Sequence, residues 1–258
     1  MGLLKEIYNY REMIYTLVHR DLRGRYKASV LGFLWTFINP LCQLLIYTIV
    51  FSVILRNDIP KFYLFLFVAL IPWNFCATCL TGGASCVVGQ QAMVTKIYFP
   101  REVLPIAYTT ASFVNMLYCY IVVFAVCLLS GVHFSILGLL CLPLVMVVEY
   151  TFVLGITMVF SSVTVYLRDM EHILGILSMG WMFLTPIMYS EDMVPAKVLP
   201  LFRLNPMSTI VEAYRDIMYY GKIPDLTALC FTGLGSIAIL VLGFWVFGKL
   251  KRRFAEEL

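Results

Sequence analysis

Polar and apolar positions separate into long blocks along this chain. Six apolar blocks approach or exceed the roughly 20 residues that a helix needs to cross a bilayer. They are Leu31–Leu55, Phe62–Leu80, Ile106–Ser130, Ile136–Tyr166, Ile173–Tyr189 and Leu226–Gly248. The pattern predicts an all-α integral membrane protein with six transmembrane helices. The fourth block is overlong for one crossing, which tilt or an extension past the bilayer accommodates. Pro40, Pro72, Pro143 and Pro186 fall inside the blocks. Each removes a backbone donor and marks a candidate kink. The first block opens abruptly after the basic run Arg25-Tyr26-Lys27, with Trp35 where an interfacial anchor sits.

Two stretches outside the blocks carry a helical period. Leu3, Ile7, Tyr10, Ile14 and Leu17 share one face over residues 3–20, while Lys5, Glu6, Asn9, Glu12 and Arg20 take others. This predicts an amphipathic helix lying on the membrane. The second stretch lies within the connection Ser190–Asp225. There Asn205 is a candidate N-cap, Pro206 suits the first turn, and Met207, Ile210, Val211, Tyr214, Ile217 and Met218 form an apolar stripe up to Gly221. That segment is too short and too charged to span, so it is expected to be interfacial or re-entrant. The organisation is then a cytoplasmic amphipathic segment (1–30), a transmembrane domain (31–248) and a cytoplasmic tail (249–258). There is no internal repeat and no low-complexity tract.

Composition places the chain in lipid. It is 61% hydrophobic and 13% charged, against about 25% charged for soluble domains, with a mean hydropathy of +0.88. Residues 1–30 lack the apolar core and small-residue cleavage site of a secretory signal, so none is expected. With the N-terminus inside, 13 of the 19 Lys and Arg residues fall on cytoplasmic segments and 6 on outer ones. The positive-inside rule therefore predicts that both termini are cytoplasmic.

Soluble catalytic chemistry has no room here. Gly243-Phe-Trp-Val-Phe-Gly248-Lys249 approaches a phosphate loop, but Leu250 replaces the final Ser or Thr and bulky aromatics fill the loop positions. Cys76-Ala-Thr-Cys79 has metal spacing but no completing ligands, and the three histidines are scattered, so no metal site is expected. Glu149 is the one carboxylate deep in a block. It is either a functional acid or a hydrogen-bonded structural group at a helix contact. Trp35, Trp73, Trp181 and Tyr189 are interfacial anchors or sugar-stacking groups, with Tyr47, Tyr118 and Tyr120 as further aromatic candidates. Lys96-Ile-Tyr-Phe-Pro100-Arg-Glu mixes charge and aromatics at the membrane edge, and suits either docking to a soluble partner or an ordinary turn.

Several stretches together resemble the membrane subunits of ABC-2-type polysaccharide exporters, the permeases for O-antigen, capsule and teichoic-acid-like polymers. They are Arg20-Asp21-Leu22 with Arg25-Tyr26-Lys27 through Leu34-Trp35 and Asn39-Pro40; Lys96 to Pro105; Leu167-Arg168-Asp169 with Phe183 to Tyr189; and Leu204-Asn205-Pro206 through Glu212–Asp216 to Gly221. The resemblance implies two copies of the chain per transporter and a separate cytoplasmic ATPase that holds ATP and Mg, with no cofactor on this chain. It implies a bacterial inner-membrane location, short re-entrant helices before the last span, and no nucleic-acid partner. The substrate would be a polyprenyl-pyrophosphate-linked polysaccharide, fed through a channel between subunits that Trp35, Trp73, Trp181 or Tyr189 would help line. Arg23, Arg25 and Lys27 would lie where the anionic head group passes, or would simply bind membrane lipids. Tyr98 and Phe99 would fill a pocket of the ATPase, with Lys96, Arg101 and Glu102 around them. The alternatives are an ABC-2 permease for a lipid or drug, and a proton-coupled carrier using Glu149.

Overall fold

The computed structural model describes residues 2–24, 30–54, 59–195 and 197–257, and among them there are helices and no strands. In chain order the helices are α1 (Gly2–Asn9), α2 (Arg11–Gly24), α3 (Trp35–Thr48), α4 (Phe62–Thr81), α5 (Gln91–Lys96), α6 (Val103–Leu129), α7 (Ile136–Thr164), α8 (Met170–Leu184), α9 (Leu199–Leu204), α10 (Pro206–Met218), α11 (Leu226–Leu250) and α12 (Phe254–Glu257). A 3-10 turn leads into α3 and a π turn, Ile49–Ile54, continues it.

Five helical stretches among the described residues are long and apolar enough to cross a membrane: Gly32–Phe51, Phe62–Thr81, Val103–Leu129, Ile136–Thr164 and Leu226–Arg253. The block expected at Ile173–Tyr189 differs. It forms α8, which has 15 residues and stops at Leu184. The reason is local. Pro186 excludes the preceding residue from helical geometry, and Thr185 is extended, at φ −105° and ψ 132°. Helix α6 starts three residues earlier than expected because Pro105 is tolerated in a first turn.

The bundle is organised around α4. Its residues are apolar on all sides, and 78% of its most apolar window is buried, as expected of a helix that neighbours surround. Helices α3, α6, α7, α8 and α10 all pack against it. The predicted stripe on α10 is fully internal: Met207, Ile210, Val211, Tyr214, Ile217 and Met218 are buried against α4, α7 and α11. Asn205 caps α10 as its sequence suggests, its Oδ1 accepting from the Met207 N–H at 3.1 Å. Asp225 caps α11 in the same way, accepting from the N–H groups of Thr227 and Ala228. Gly221 takes the left-handed conformation, φ +66°, after α10.

A second cluster closes the end of the bundle that carries both termini. It joins Leu17 and Val18 of α2, Val94, Phe99, Val103 and Leu104 of the α5–α6 region, and Phe247 and Phe254 near the C-terminus. The expected helix over 3–20 is thus two helices broken at Tyr10, and the second packs on α6 rather than leaving its whole apolar face to lipid.

Helices α7 and α11 form the most extensive pair. Gly155 and Gly243 sit at their contact, where a Cβ on Gly243 would come 2.6 Å from the Gly155 carbonyl oxygen and one on Gly155 would come 2.8 Å from the Leu240 nitrogen. Small residues permit such close approach in membranes. The glycine that opens the false phosphate loop is therefore a packing residue. Gly243→Val is expected to cost about 1–3 kcal/mol by overpacking, read as a lower melting point in detergent. Gly235→Ala meets open space and is expected to leave the melting point unchanged or raise it.

Candidate functional site

The α5–α6 connection presents some of its residues and withdraws others. Lys96 and Tyr98 project outward, Tyr98 being 88% exposed. Phe99 turns inward, 6% exposed, into the cluster that holds Val103 and Phe254. Glu102 is fully buried, and its Oε1 accepts a hydrogen bond from Lys251 Nζ at 2.6 Å. The Arg101 guanidinium donates to the Lys251 carbonyl and lies over the Phe254 ring. Tyr98 and Phe99, expected to fill a pocket of the ATPase together, face in opposite directions in this chain. Of the five residues expected at the ATPase contact, Lys96 and Tyr98 face outward, whereas Phe99, Arg101 and Glu102 pack against the C-terminal turn of this same chain. Tyr166 adds to the fastening by donating to the Leu250 carbonyl at 2.7 Å.

The basic approach to α3 is seen in part. Arg23 is exposed at the end of α2, beside a surface cleft lined by Tyr15, Thr16, His19 and Arg20. Arg25 and Lys27 lie outside the described residues.

The four aromatic residues divide by environment. Trp73 is buried, and its ring meets Trp181 edge-on at 5.9 Å; Trp181 also meets Phe152 at 6.0 Å. Trp181 donates from Nε1 to Asn205 Oδ1 at 2.9 Å, while Asn205 Nδ2 reaches Thr185 Oγ1 at 3.0 Å. Asn205 therefore ties α8 to α10, a role its capping signature does not reveal. Tyr189 donates to the Phe183 carbonyl at 2.6 Å and packs on Phe202. Trp35 alone of the four lines the cavity of about 280 Å³ between α3, α4 and α6.

The far end of the bundle is locked by an arginine. Arg215 is 2% exposed. Its guanidinium donates to the carbonyls of Pro186, of Ile187 at 2.5 Å and of Phe65 at 3.3 Å, and stands 3.5 Å from the Phe65 ring centroid. The three carbonyls and the ring face compensate the guanidinium within this buried seat. Glu212, three residues before Arg215 on the same helix, neighbours Glu191. Glu191 in turn accepts from Arg203 at 2.8 Å. Glu149 has a partner that the sequence did not show: the Tyr214 hydroxyl donates to its Oε2 at 2.6 Å, and the Tyr120 ring stacks on Tyr214 at 5.3 Å. Its other oxygen has no protein partner among the described residues. Cys76 and Cys79 are buried thiols, and no metal-binding group of three or more His, Cys, Asp or Glu occurs among the described residues.

The sequence matches the ABC-2 type transporter family over residues 12–219. It is similar to an O-antigen export system permease protein RfbA of Myxococcus xanthus, with 33% identity over 99% of each chain. It is also similar to a protein of that description from Klebsiella pneumoniae, with 30% identity over 96% of this chain and 95% of the relative. The polysialic acid transport protein KpsM of Escherichia coli is 24% identical over 87% of this chain and 88% of its own.

Proposed function

The chain belongs to the ABC-2 type transporter family, and from that premise we propose that it is the membrane permease subunit of an ABC exporter of a surface polysaccharide. The observation that carries this reading is the end-to-end similarity to O-antigen export permeases. We propose further that the substrate is a polyprenyl-pyrophosphate-linked glycan and that two copies of the chain form the transporter. ATP, with Mg, is hydrolysed on a separate cytoplasmic ATPase. Deleting the protein from its cell is then expected to remove surface polysaccharide while lipid-linked polymer accumulates inside. Normal surface polymer in the deletion strain would overturn the reading.

Six crossings are the topology we favour, with both termini cytoplasmic, residues 31–248 as the transmembrane domain and 249–258 as a cytoplasmic tail. Leu17 near one terminus and Phe254 near the other share one cluster, and an odd number of crossings would separate them. We assign the remaining crossing to helix α8 together with the turn and bend at residues 185–190 that follow it. Helices α9 and α10 then form the re-entrant pair. The hydrogen bond from Tyr214 of α10 to Glu149, near the middle of the 29-residue α7, supports that depth. Labelling of a cysteine near either terminus by an impermeant reagent outside intact cells would exclude this topology.

On the cytoplasmic side, Lys96 and Tyr98 are the groups we assign to the ATPase, and Arg23, with Arg25 and Lys27, to the anionic head group. Tyr98→Ala is expected to weaken co-purification of the ATPase by about 2 kcal/mol, the scale of an aromatic hot spot, without changing the melting point of the permease. Glu149→Gln retains an acceptor for Tyr214 and is expected to preserve export. Glu149→Leu leaves the Tyr214 hydroxyl buried without its partner and is expected to cost about 1–3 kcal/mol. Loss of export in a well-folded Gln variant would favour a proton-coupled mechanism instead.

A further inference from the structure

Three largely apolar helices each turn a polar stripe towards the cavity between α3, α4 and α6. Asn39 and Gln43 lie four residues apart on α3, Asn74 and Thr78 four apart on α4, and Ser112 and Asn115 three apart on α6. These spacings keep each pair on one helix face. The stripes meet: Asn74 Nδ2 donates to Gln43 Oε1 at 3.1 Å, and Gln43 Nε2 donates to the Tyr47 hydroxyl at 3.3 Å. A carboxamide has two donors and an oxygen with two acceptor sites, so these contacts use only part of the capacity of Gln43 and Asn74.

Position makes this polarity informative. Asn74 lies thirteenth in the 20-residue α4, and Gln43 ninth in α3, well inside the segments that cross the bilayer. Polar groups that face hydrocarbon without partners cost several kcal/mol each, so a face carrying four carboxamides is not a lipid face. Among the described residues, no Lys, Arg, Asp or Glu lines the cavity. It therefore suits neither a phosphate nor a cation, which need opposite charge. It suits a neutral ligand rich in hydroxyls. Trp35 at its margin offers an aromatic face for the apolar side of a sugar ring. The volume, about 280 Å³, is near the lower end of ligand sites and admits a short stretch of sugar.

We propose that Asn39, Gln43, Asn74 and Asn115 form a hydrogen-bonding track along which the hydroxyls of the moving glycan exchange partners. The track deepens the polysaccharide-export reading and rests on it. Uncharged carboxamides bind each hydroxyl weakly, and weak binding at successive sites lets a polymer enter and leave.

The test uses the complete transporter, with its ATPase, in polymer-producing cells. Asn39→Leu and Asn74→Leu are each expected to reduce export about two- to tenfold, the loss of a neutral hydrogen bond. Lipid-linked polymer should accumulate inside while ATPase association holds; the melting point is expected to hold for Asn39→Leu and to fall modestly for Asn74→Leu, which removes the hydrogen bond to Gln43. Asn74→Gln, which keeps the carboxamide, is expected to retain more export than Asn74→Leu. A second measurement does not depend on the leucine variants folding. Asn39→Cys, in a background stripped of native cysteines, is expected to react with a water-soluble maleimide, and more slowly when polymer is being exported than when its synthesis is blocked. Absence of reaction in both conditions would mean that lipid or another helix fills the cavity, and would overturn the track. So would normal export by both well-folded leucine variants, or equal labelling in both conditions. If the wild-type transporter moves no polysaccharide at all, the export reading itself fails. If the wild type exports and these signatures are missing, only the track fails.

Discussion

Arg215→Ala is expected to be the most damaging single substitution outside the bilayer-crossing helices. The side chain is held by three backbone carbonyls from two segments, Phe65 on one side and Pro186 and Ile187 on the other. Hydrogen bonds to a charged group are worth about 1.5–3 kcal/mol each, and removing the donor leaves buried carbonyls unpaired. Alanine also empties the space above the Phe65 ring. The expected result is a loss of several kcal/mol, read as a large fall in the melting point of the detergent-solubilised protein. Arg215→Lys keeps the charge but cannot present a planar fork to three acceptors, so it is expected to restore only part of the loss. A melting point for Arg215→Ala within error of wild type would show that α10 is held by its apolar stripe alone.

The second large effect is expected at Lys251. Glu102 is fully buried and Lys251 is the group that neutralises it, at 2.6 Å. Removing one partner of a fully buried pair costs about 3–5 kcal/mol, because a charge is left without compensation; Lys251 is partly exposed, so the cost here is expected to fall below that range. Lys251→Ala is therefore expected to destabilise more than Glu102→Gln, and the double variant less than the sum of the two. The consequence reaches function, because the same turn anchors Arg101 and Phe254 beneath the segment assigned to the ATPase. In the assembled transporter, Lys251→Ala is expected to lower export per ATP hydrolysed. A thermodynamic cycle showing no coupling between Lys251 and Glu102 would remove the pair from this role.

Much of the architecture is legible in hydropathy. The apolar blocks become helices, and the stripe from Met207 to Met218 faces the core because a period of 3.6 leaves it no other solution. Asn205 marks the start of α10, and Gly221 turns the chain shortly after its end at Met218. What is not legible depends on distant partners. Phe99 and Glu102 look like surface groups until Lys251 and Phe254, about 150 positions away, come to meet them. Trp73 and Trp181 look like anchors or stacking groups until each proves to be the other's neighbour. Glu149 looks isolated because its partner Tyr214 lies 65 positions on. The length of α8 was readable from Pro186, but hydropathy alone runs past it. The carboxamides of the cavity carried a usable signal, helical spacing within apolar spans, which attention to aromatic side chains passes over.

The burial of α10 bears on how the protein is made. Its 13 residues include Glu212, Arg215 and Asp216, and an arginine or aspartate near a helix centre opposes insertion by about 2.5–3.5 kcal/mol. Such a segment has no reason to enter the bilayer as it leaves the ribosome. Its surroundings are α4 and α7, both synthesised earlier, and α11, synthesised afterwards. Biogenesis is then expected to run in two stages: the first helices enter the lipid one by one, and α10 slots into the seat they have built while α11 closes over it. A nascent chain cut off before α11 should hold α10 loosely, exposed to protease, while α4 and α7 are already protected.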